Sequence, residues 1–353
     1  MNHVDYRDGE MHCEGVSLAE IARAVGTPVY VYSTATLERH YQVVRGALTA
    51  HPALGQPLVA YAVKANSNVS VLRTLGRIGA GADTVSEGEI RRALAAGIPP
   101  ERIVFSGVGK TAGELAFAID AKVGEINVES EPEIDLLARI AAEKGARPAI
   151  CIRVNPDVAA GGHAKISTGH AGSKFGVSMA EAERLYAKAS ASPSLKPVGV
   201  TCHIGSQITE LSALEAAFRK MRDLVLHLRE KGFTVDRLDL GGGLGVPYFH
   251  QPDPATPAEY AQMIADVIGN LGVALSFEPG RVIAANAGVL VSEVIHVHER
   301  PEGRKFLVVD AAMNDLIRPA MYESFHDIRP VTEPAAGAAP SPYDVVGPIC
   351  ETG

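Results

Sequence analysis

The sequence PLVAYAVKAN occupies residues 57–66, and its chemistry organises the interpretation of the whole chain. The apolar run at 57–63 predicts a fully buried strand. Lys64 stands where that strand ends, and a lysine there must be paired, reach water or take part in chemistry. Desolvation favours its neutral amine, a nucleophile that can form a Schiff base. The alternative is an ordinary surface lysine at a strand end.

Length and composition predict a globular protein of about two domains, because the chain has 353 residues, 46% of them apolar. The net charge of −8 and the absence of a Lys/Arg block argue against a nucleic-acid partner. No cysteine pair has the spacing of a zinc site or a disulfide framework, which favours a reducing cytoplasm. The polar, acidic start predicts no export leader, and polar residues interrupt the longest apolar stretch, at 282–297, so no membrane partner is expected.

From residue 57 onward, candidate strands alternate with candidate helices. The strands are predicted at 57–63, 81–85, 101–106, 124–128, 147–154, 197–205, 234–240 and 273–278. The helices are predicted at 68–79, 86–97, 111–121, 130–144, 178–192, 210–231 and 256–271. This rhythm predicts an α/β protein with a closed (β/α)8 TIM barrel, and a doubly wound open sheet is the runner-up.

The remaining residues predict a second, β-rich domain. The barrel is expected at 36–287, and the β-domain is expected to combine residues 1–35 with 288–353. Its strands are predicted at 28–32, 289–297, 305–309 and 343–346, with no helix near the first of them. A Pro/Ala-rich loop at 330–342 is interpreted as a surface insertion. We expect the C-terminal part of this domain to be missing, because few strands are available to complete it.

Four polar features fall at the ends of predicted barrel strands, where such barrels carry their reacting groups. They are Lys64 after the first strand, His203 after the sixth, Gly241–Gly245 after the seventh and Glu278 after the eighth. The glycine loop can offer bare backbone N–H groups to an anion, although it matches neither a dinucleotide fingerprint nor a Walker loop. Taken singly, the loop could be a tight turn and His203 a core histidine. No metal site is predicted, and His163 and His170 are interpreted as loop residues.

Pyridoxal 5'-phosphate chemistry requires these groups together. It needs a lysine for a Schiff base, a phosphate cradle, and a carboxylate that keeps the pyridine nitrogen protonated. Lys64, the loop at Gly241 and Glu278 supply those three groups, and His203 is expected to stack on the ring. The residues therefore predict a pyridoxal phosphate enzyme.

Several motifs resemble those of the fold-type III pyridoxal phosphate decarboxylases, which have an alanine-racemase-like barrel and a β-domain. Within that family the chain resembles the diaminopimelate decarboxylase branch most closely. The motifs are Tyr61–Asn66, His203–Gln207, Gly241–Gly245, Glu278–Arg281 and Gly347–Glu351, with Ile166–Gly169, Ser173–Gly176 and Met313–Tyr322 marking the branch. The resemblance runs from about residue 15 to the last residue. The family has a further C-terminal stretch, including a tyrosine, which this sequence lacks.

The resemblance implies a role for each matching residue. Lys64 would bind the cofactor covalently, His203 would stack on it and Glu278 would meet its ring nitrogen. The phosphate would be held by Ser206, Gly241, Gly242, Gly243 and Gly280, and Arg281 would contact both cofactor and substrate. The substrate would also be bound by Arg318, Tyr322 and Glu351. Cys350 and Glu351 would reach the site of the other subunit in a homodimer, and Lys64 or Cys350 would return the final proton. Asp83 and Glu87 would support Lys64.

The implied reaction is decarboxylation of meso-2,6-diaminopimelate to L-lysine and CO2, the last step of lysine biosynthesis. Independently of the resemblance, Arg281 and the Arg318/Tyr322 pair suit a substrate rich in carboxylates, because guanidinium groups bind carboxylates bidentately. The alternatives are a decarboxylase for ornithine, arginine or a carboxylated polyamine such as carboxynorspermidine, a racemase with the same cofactor, or an inactive decarboxylase-like binding protein. For Arg318 alone, a surface ion pair is also an open interpretation.

Overall fold

The computed structural model describes residues 3–159, 169, 172–248 and 253–350. Its strands are β1 (Val4–Arg7), β2 (Glu10–Cys13), β3 (Val16–Ser17), β4 (Val29–Tyr32), β5 (Leu58–Ala62), β6 (Gly81–Thr84), β7 (Ile103–Phe105), β8 (Glu125–Val128), β9 (Ala149–Asn155), β10 (Val177–Ser178), β11 (Lys196–Thr201), β12 (Arg237–Asp239), β13 (Ala274–Phe277), β14 (Gly288–Val291), β15 (Val294–Glu299), β16 (Lys305–Val309) and β17 (Asp344–Val346).

The α-helices alternate with many of these strands. They are α1 (Leu18–Val25), α2 (Thr34–Thr49), α3 (Val69–Arg77), α4 (Glu87–Ala95), α5 (Ala112–Ala121), α6 (Glu131–Glu143), α7 (Met179–Ala191), α8 (Leu211–Glu230), α9 (Pro257–Ile268), α10 (Arg281–Ala284) and α11 (Arg318–Tyr322). No helix among the described residues combines the length and apolar character that a membrane crossing requires.

The chain divides into two compact units. The larger contains Leu37–Pro247 and Pro252–Ala285, and the smaller contains Met1–Thr36, Tyr248–Gln251 and Asn286–Gly353.

The larger unit is a closed parallel barrel. Its strands follow one another in the order β5, β6, β7, β8, β9, β11, β12 and β13. The ring closes because β13 pairs with β5, with Ser276 opposite Leu58 and Phe277 opposite Val59. The predicted barrel is therefore confirmed, and the open sheet is wrong. Since all eight strands are parallel, their C-terminal ends meet at one rim.

Local sequence signals account for the helices around the barrel. The side chains of Ser86, Thr111, Ser130 and Thr256 cap the first turns of α4, α5, α6 and α9. Helix α8, predicted at 210–231, carries an apolar stripe whose buried members include Leu214, Phe218, Met221, Val225 and Leu228. That stripe packs toward the strands because apolar residues three and four positions apart share one helix face.

The smaller unit contains three small sheets. They are β1-β2-β3, the antiparallel pair β4-β14, and β15-β16-β17. The predicted strands at 28–32, 305–309 and 343–346 are confirmed as β4, β16 and β17.

Two predictions for the smaller unit were wrong. No helix was predicted near the strand at 28–32, but α1 directly precedes it. Ser17 accepts hydrogen bonds from the first turn of α1, and Leu18 packs into a core with Met11 and Val291. Its eight residues are too short for the apolar spacing to stand out in the sequence. The single strand predicted at 289–297 is divided into β14 and β15. The break follows from Asp310, whose Oδ1 accepts hydrogen bonds from Ser292 Oγ at 2.6 Å and Glu293 N at 2.9 Å.

Candidate active site

Lys64 lies in a single turn, Val63–Ala65, directly after β5. Its Nζ donates a hydrogen bond of 2.9 Å to Asp83 Oδ2. The Asp83 side chain is fully buried, whereas half of the Lys64 side chain is open to solvent. Partial desolvation lowers the pKa of Lys64. The carboxylates of Asp83 and Glu278 have the larger effect and raise that pKa overall. The expectation that desolvation would release the lysine proton is therefore wrong, because the two carboxylates favour the charged form.

Of the two acids expected to support Lys64, the structure places only Asp83 against it. Asp83 lies within β6 rather than after it. The Glu87 carboxylate instead accepts a hydrogen bond of 2.7 Å from Arg91 Nε, one turn further along α4. Glu87 therefore belongs to the outer surface of that helix.

His203 follows β11 and faces the glycine loop. Its Nδ1 accepts a hydrogen bond of 3.2 Å from Gly242 N, which assigns the imidazole proton to Nε2. Burial, together with the positive charges of Lys64 and Arg153, lowers the pKa of His203 well below its ordinary value. The ring is therefore neutral, which suits stacking on a cofactor ring and does not suit acid catalysis.

The loop after β12 exposes bare backbone because side chains do not fit there. A Cβ on Gly242 would lie 2.3 Å from Glu278 O, and one on Gly241 would lie 2.5 Å from Cys202 O. Gly241 also has a φ of +64°, and Gly243 a φ of +116°, which favour glycine. Such a cradle, which lacks side chains, admits close approach of a phosphate group to its backbone, although Gly241 N and Gly242 N already donate to Asp239 Oδ1 and His203 Nδ1.

Two side chains at the same rim adjoin this cradle. Arg281 Nε donates a hydrogen bond of 3.2 Å to Ser206 Oγ. Gly280 precedes α10, and a Cβ there would meet the Cβ of Ala62 at 3.0 Å. The structure thus brings the predicted phosphate-binding residues together at the end of the barrel that carries Lys64.

Glu278 is a buried acid, with 7% of its surface exposed. Ser106 Oγ donates a long hydrogen bond of 3.4 Å to Glu278 Oε1, and Asn127 Nδ2 donates to Ser106 at 3.1 Å. Burial, and then the nearby carboxyls of Asp239 and Asp83, raise the pKa of Glu278 well above its ordinary value. A cationic partner would favour its ionised form, so the position fits a protonated ring nitrogen.

Sequence reasoning missed Arg153, whose positive charge acts on Lys64, His203 and Glu278. Its Nη1 lies 2.9 Å from Glu129 Oε1, and its guanidinium lies 4.8 Å from the centre of the Phe175 ring. The signal was present in β9, since an arginine inside a buried apolar strand requires a partner.

Glu129 also holds backbone groups from two other segments. It accepts hydrogen bonds from Gly107 N at 2.9 Å and from Gly176 N at 3.1 Å. This carboxylate therefore fixes the Ser173–Gly176 motif to the barrel rim, together with the loop after β7.

The smaller unit carries the remaining predicted residues. Arg318 begins α11, and its guanidinium lies 3.2 Å from Ser324 Oγ, 3.4 Å from His326 Nε2 and 5.3 Å from the centre of the Tyr248 ring. In the described part of the chain no carboxylate is within ion-pair distance of Arg318, so the surface ion pair is wrong there. Tyr322 ends the same helix, and Cys350 is exposed. The positions outside the described residues are Glu351, His163, His170 and Ile166–Thr168.

A lysine, a neutral histidine, a buried acid and a bare anion cradle on one barrel rim define a pyridoxal phosphate enzyme, and these residues fit that cofactor. The family model for the pyridoxal binding domain of pyridoxal-dependent decarboxylases matches residues 40–285. The chain therefore belongs to the pyridoxal-dependent decarboxylases, specifically to the diaminopimelate decarboxylase branch. The predicted family and cofactor are confirmed.

Named relatives support this placement along the chain. Diaminopimelate decarboxylase from Zymomonas mobilis is 47% identical over 98% of this chain and 82% of its own length. The crystal structure of the Helicobacter pylori enzyme with L-lysine is 39% identical, with a TM-score of 0.89 over 95% of this chain and 82% of its own. The M. jannaschii enzyme in complex with L-lysine is 35% identical, with a TM-score of 0.92 over 99% of this chain and 82% of its own.

Proposed function

We propose that this protein decarboxylates meso-2,6-diaminopimelate to L-lysine and CO2, the last step of lysine biosynthesis. The observation that carries this proposal is 47% identity to a diaminopimelate decarboxylase over 98% of the chain. The retained lysine, histidine, glutamate and glycine loop support an active enzyme over a decarboxylase-like binding protein.

Lys64, Glu278 and His203 have separate roles in this reaction. Bound pyridoxal phosphate supplies an electron sink for the electron pair left when CO2 departs. Lys64 holds a proton beside Asp83, 2.9 Å away, and is one candidate to deliver it to the product. The Glu278 carboxylate would provide the negative charge for a protonated ring nitrogen. Neutral His203 covers the ring without adding charge, because its pKa is lowered well below the ordinary value.

The phosphate-binding and substrate-binding roles rest on different residues. Ser206, Gly280 and Arg281 adjoin the glycine loop and would hold the phosphate group, and Arg281 would also meet the substrate. Arg318 and Tyr322 would bind the carboxylate at the far end of the substrate, joined by Glu351. The Arg318 guanidinium contacts Ser324 and His326, which leaves its positive charge to attract an anion. The distal ammonium of ornithine would be repelled there.

We further propose a cytoplasmic homodimer in which the two subunits share active sites. Cys350 of the partner subunit would enter the site and compete with Lys64 as the donor of the final proton. We also propose that 36–287 form the cofactor domain and that 1–35 and 288–353 form the β-domain. Mixing K64A with C350A tests the sharing, since activity regained on mixing requires sites built from two chains.

The decisive experiment measures CO2 release by the full chain with pyridoxal phosphate. The substrates are meso-diaminopimelate, ornithine, arginine and carboxynorspermidine, and L-lysine is quantified as a product. We expect turnover of diaminopimelate alone. Turnover of ornithine without diaminopimelate would overturn the substrate assignment. In parallel, K64A should lose the visible cofactor absorbance, whereas K188A, which removes a lysine of α7 that pairs with Glu131 and Asp135, should keep it.

A further inference from the structure

Asp239 lies beside Glu278, where it has no role in the mechanism above. The register places Asp239 of β12 opposite Ser276 of β13, two residues before Glu278. Gly241 connects the two acids, since its N–H donates to Asp239 Oδ1 at 2.7 Å and its carbonyl accepts from Glu278 N at 2.8 Å. The Glu278 carboxyl lies within hydrogen-bonding reach of the Asp239 carboxyl, and only 1% of Asp239 is exposed.

The local charge balance leaves this pair without a cation. Lys64 is paired with Asp83, Arg153 with Glu129, and Arg237 with Glu125, at 2.9, 2.9 and 3.1 Å. Within the described ranges, neither these three residues nor any further lysine or arginine lies within ion-pair distance of Asp239 or Glu278. Two touching, buried carboxyl groups cannot both ionise without a large repulsive cost.

One oxygen of Asp239 is placed to carry a proton. Among the described residues, Asp239 Oδ2 is buried and accepts no hydrogen bond, while Oδ1 is occupied by Gly241 N. A proton on Oδ2 would turn this orphan acceptor into a donor for Glu278, to which Ser106 donates a long hydrogen bond of 3.4 Å. The ionisable groups that surround the pair are Lys64, Asp83, Glu125, Cys151, Arg153, Cys202 and Tyr260.

We propose that Asp239 and Glu278 hold one proton between them, and that Asp239 keeps it when Glu278 is ionised against the cofactor. Asp239 is then a positioning residue, because its O–H fixes the orientation of the Glu278 carboxylate and limits the pair to one negative charge. The part that concerns the cofactor rests on the proposed role of Glu278. Burial and the charge of Glu125 raise the pKa of Asp239 to about 7, which agrees with this geometry.

Infrared spectroscopy of the full chain without cofactor tests the shared proton. We expect the carbonyl band of a neutral carboxylic acid at pH ~6, above the ordinary carboxyl pKa of ~4 and below the raised pKa of about 7 of Asp239. D239N and E278Q should each move the loss of that band to a pH lower by at least ~1 unit, because each removes the coupled partner. D239N can still accept from Gly241, so the loop is preserved.

The matched control is E89Q. Glu89 on α4 is also a carboxyl whose pKa is raised by burial, but it bonds to Val85 N and does not touch the pair. E89Q should leave the midpoint of the shared proton unchanged. Absence of the wild-type band at pH ~6, or an unchanged midpoint in both single variants, would overturn the proposal.

Reloading with pyridoxal phosphate tests which acid keeps the proton. In the loaded protein, we expect the band to shift when aspartate carboxyls carry carbon-13 and to stay when glutamate carboxyls carry it. A band that follows the glutamate label would overturn the assignment to Asp239. The measurement without cofactor does not depend on decarboxylase activity, so failure of the proposed function would be recognised separately.

Discussion

The Lys64 ammonium and the fully buried Asp83 carboxylate form an ion pair of 2.9 Å across two neighbouring barrel strands. The pair keeps the lysine charged until another group replaces it, because Asp83 and Glu278 raise its pKa against the effect of burial. A charged amine is a poor nucleophile. Cofactor capture by this protein must therefore include loss of a proton from Lys64.

Asp83→Asn should make that proton easier to lose. Removing the carboxylate removes the first of the charges that raise the Lys64 pKa, so the free amine appears at lower pH. We expect the pH midpoint of cofactor incorporation into the stripped protein to move downward, with severalfold faster incorporation at neutral pH. Absorbance after mixing with pyridoxal phosphate measures this. E87Q is the control, since Glu87 pairs with Arg91; an unmoved midpoint in D83N would contradict the argument.

His203→Asn should flatten the dependence of stability on pH. Burial lowers the pKa of folded His203. At mildly acidic pH the unfolded chain therefore binds a proton at this histidine that the folded chain does not bind. Stability from this group is present above its unfolded pKa of ~6.5 and is lost as pH falls, by up to about 1.4 kcal/mol per pH unit. Urea unfolding at pH ~7.5 and ~5 should show a smaller drop for H203N than for wild type. The control is H296N, at an exposed position of β15, which should match wild type. An equal drop in H203N would refute a neutral imidazole.

Gly242→Ala should block the phosphate cradle. The new Cβ would lie 2.3 Å from the carbonyl oxygen of Glu278, which is backbone and cannot turn away. We expect at least about tenfold weaker cofactor binding, or about 1.4 kcal/mol, measured by absorbance titration. G113A, in the first turn of α5 where a Cβ meets nothing within 4 Å, should bind normally. Normal binding by G242A would show that the loop does not hold the phosphate.

Lys110→Met should destabilise the barrel strongly. The Lys110 side chain is 1% exposed, and its Nζ donates to Gly107 O at 2.6 Å, Asn127 O at 2.5 Å and Glu133 at 2.7 Å. Removing this lysine leaves Glu133 buried without a counter-charge. We expect the free energy of unfolding to fall by about 3–5 kcal/mol.

The controls for this variant separate burial from charge. K144M breaks an exposed pair with Asp120 and should cost less than about 1 kcal/mol. The double variant K110M/E133L should recover part of the loss, because no unpaired charge is left, although Gly107 O, Asn127 O and Glu129 N lose their partners. Burial already raises the Glu133 pKa, so K110M should regain stability as pH falls and the carboxyl takes up a proton. Equal losses in K110M and K144M would contradict this account.

The barrel was predictable because its evidence is local. Most strands are short runs rich in apolar residues, and several helices have a cap or an apolar stripe of their own. The residues at strand ends also converge by topology alone, which explains why Lys64, His203 and Glu278 could be grouped before any coordinates.

The missed features depend on distant partners. Arg153 and Asp239 point inward from strands, and only the barrel register shows that their neighbours are acids from other strands. The sign of the Lys64 pKa shift depends on Asp83 in the same way. The division between β14 and β15 depends on Asp310, which lies on a segment that follows both.

Glu129 has a practical consequence for anyone redesigning this enzyme. One carboxylate fastens Arg153, Gly107 and Gly176, which belong to three separate segments. A library that varies the Ser173–Gly176 motif to accept new substrates should leave Glu129 untouched. Changing it would loosen three anchor points at once, and the screen would then select for repair of the scaffold instead of a new specificity.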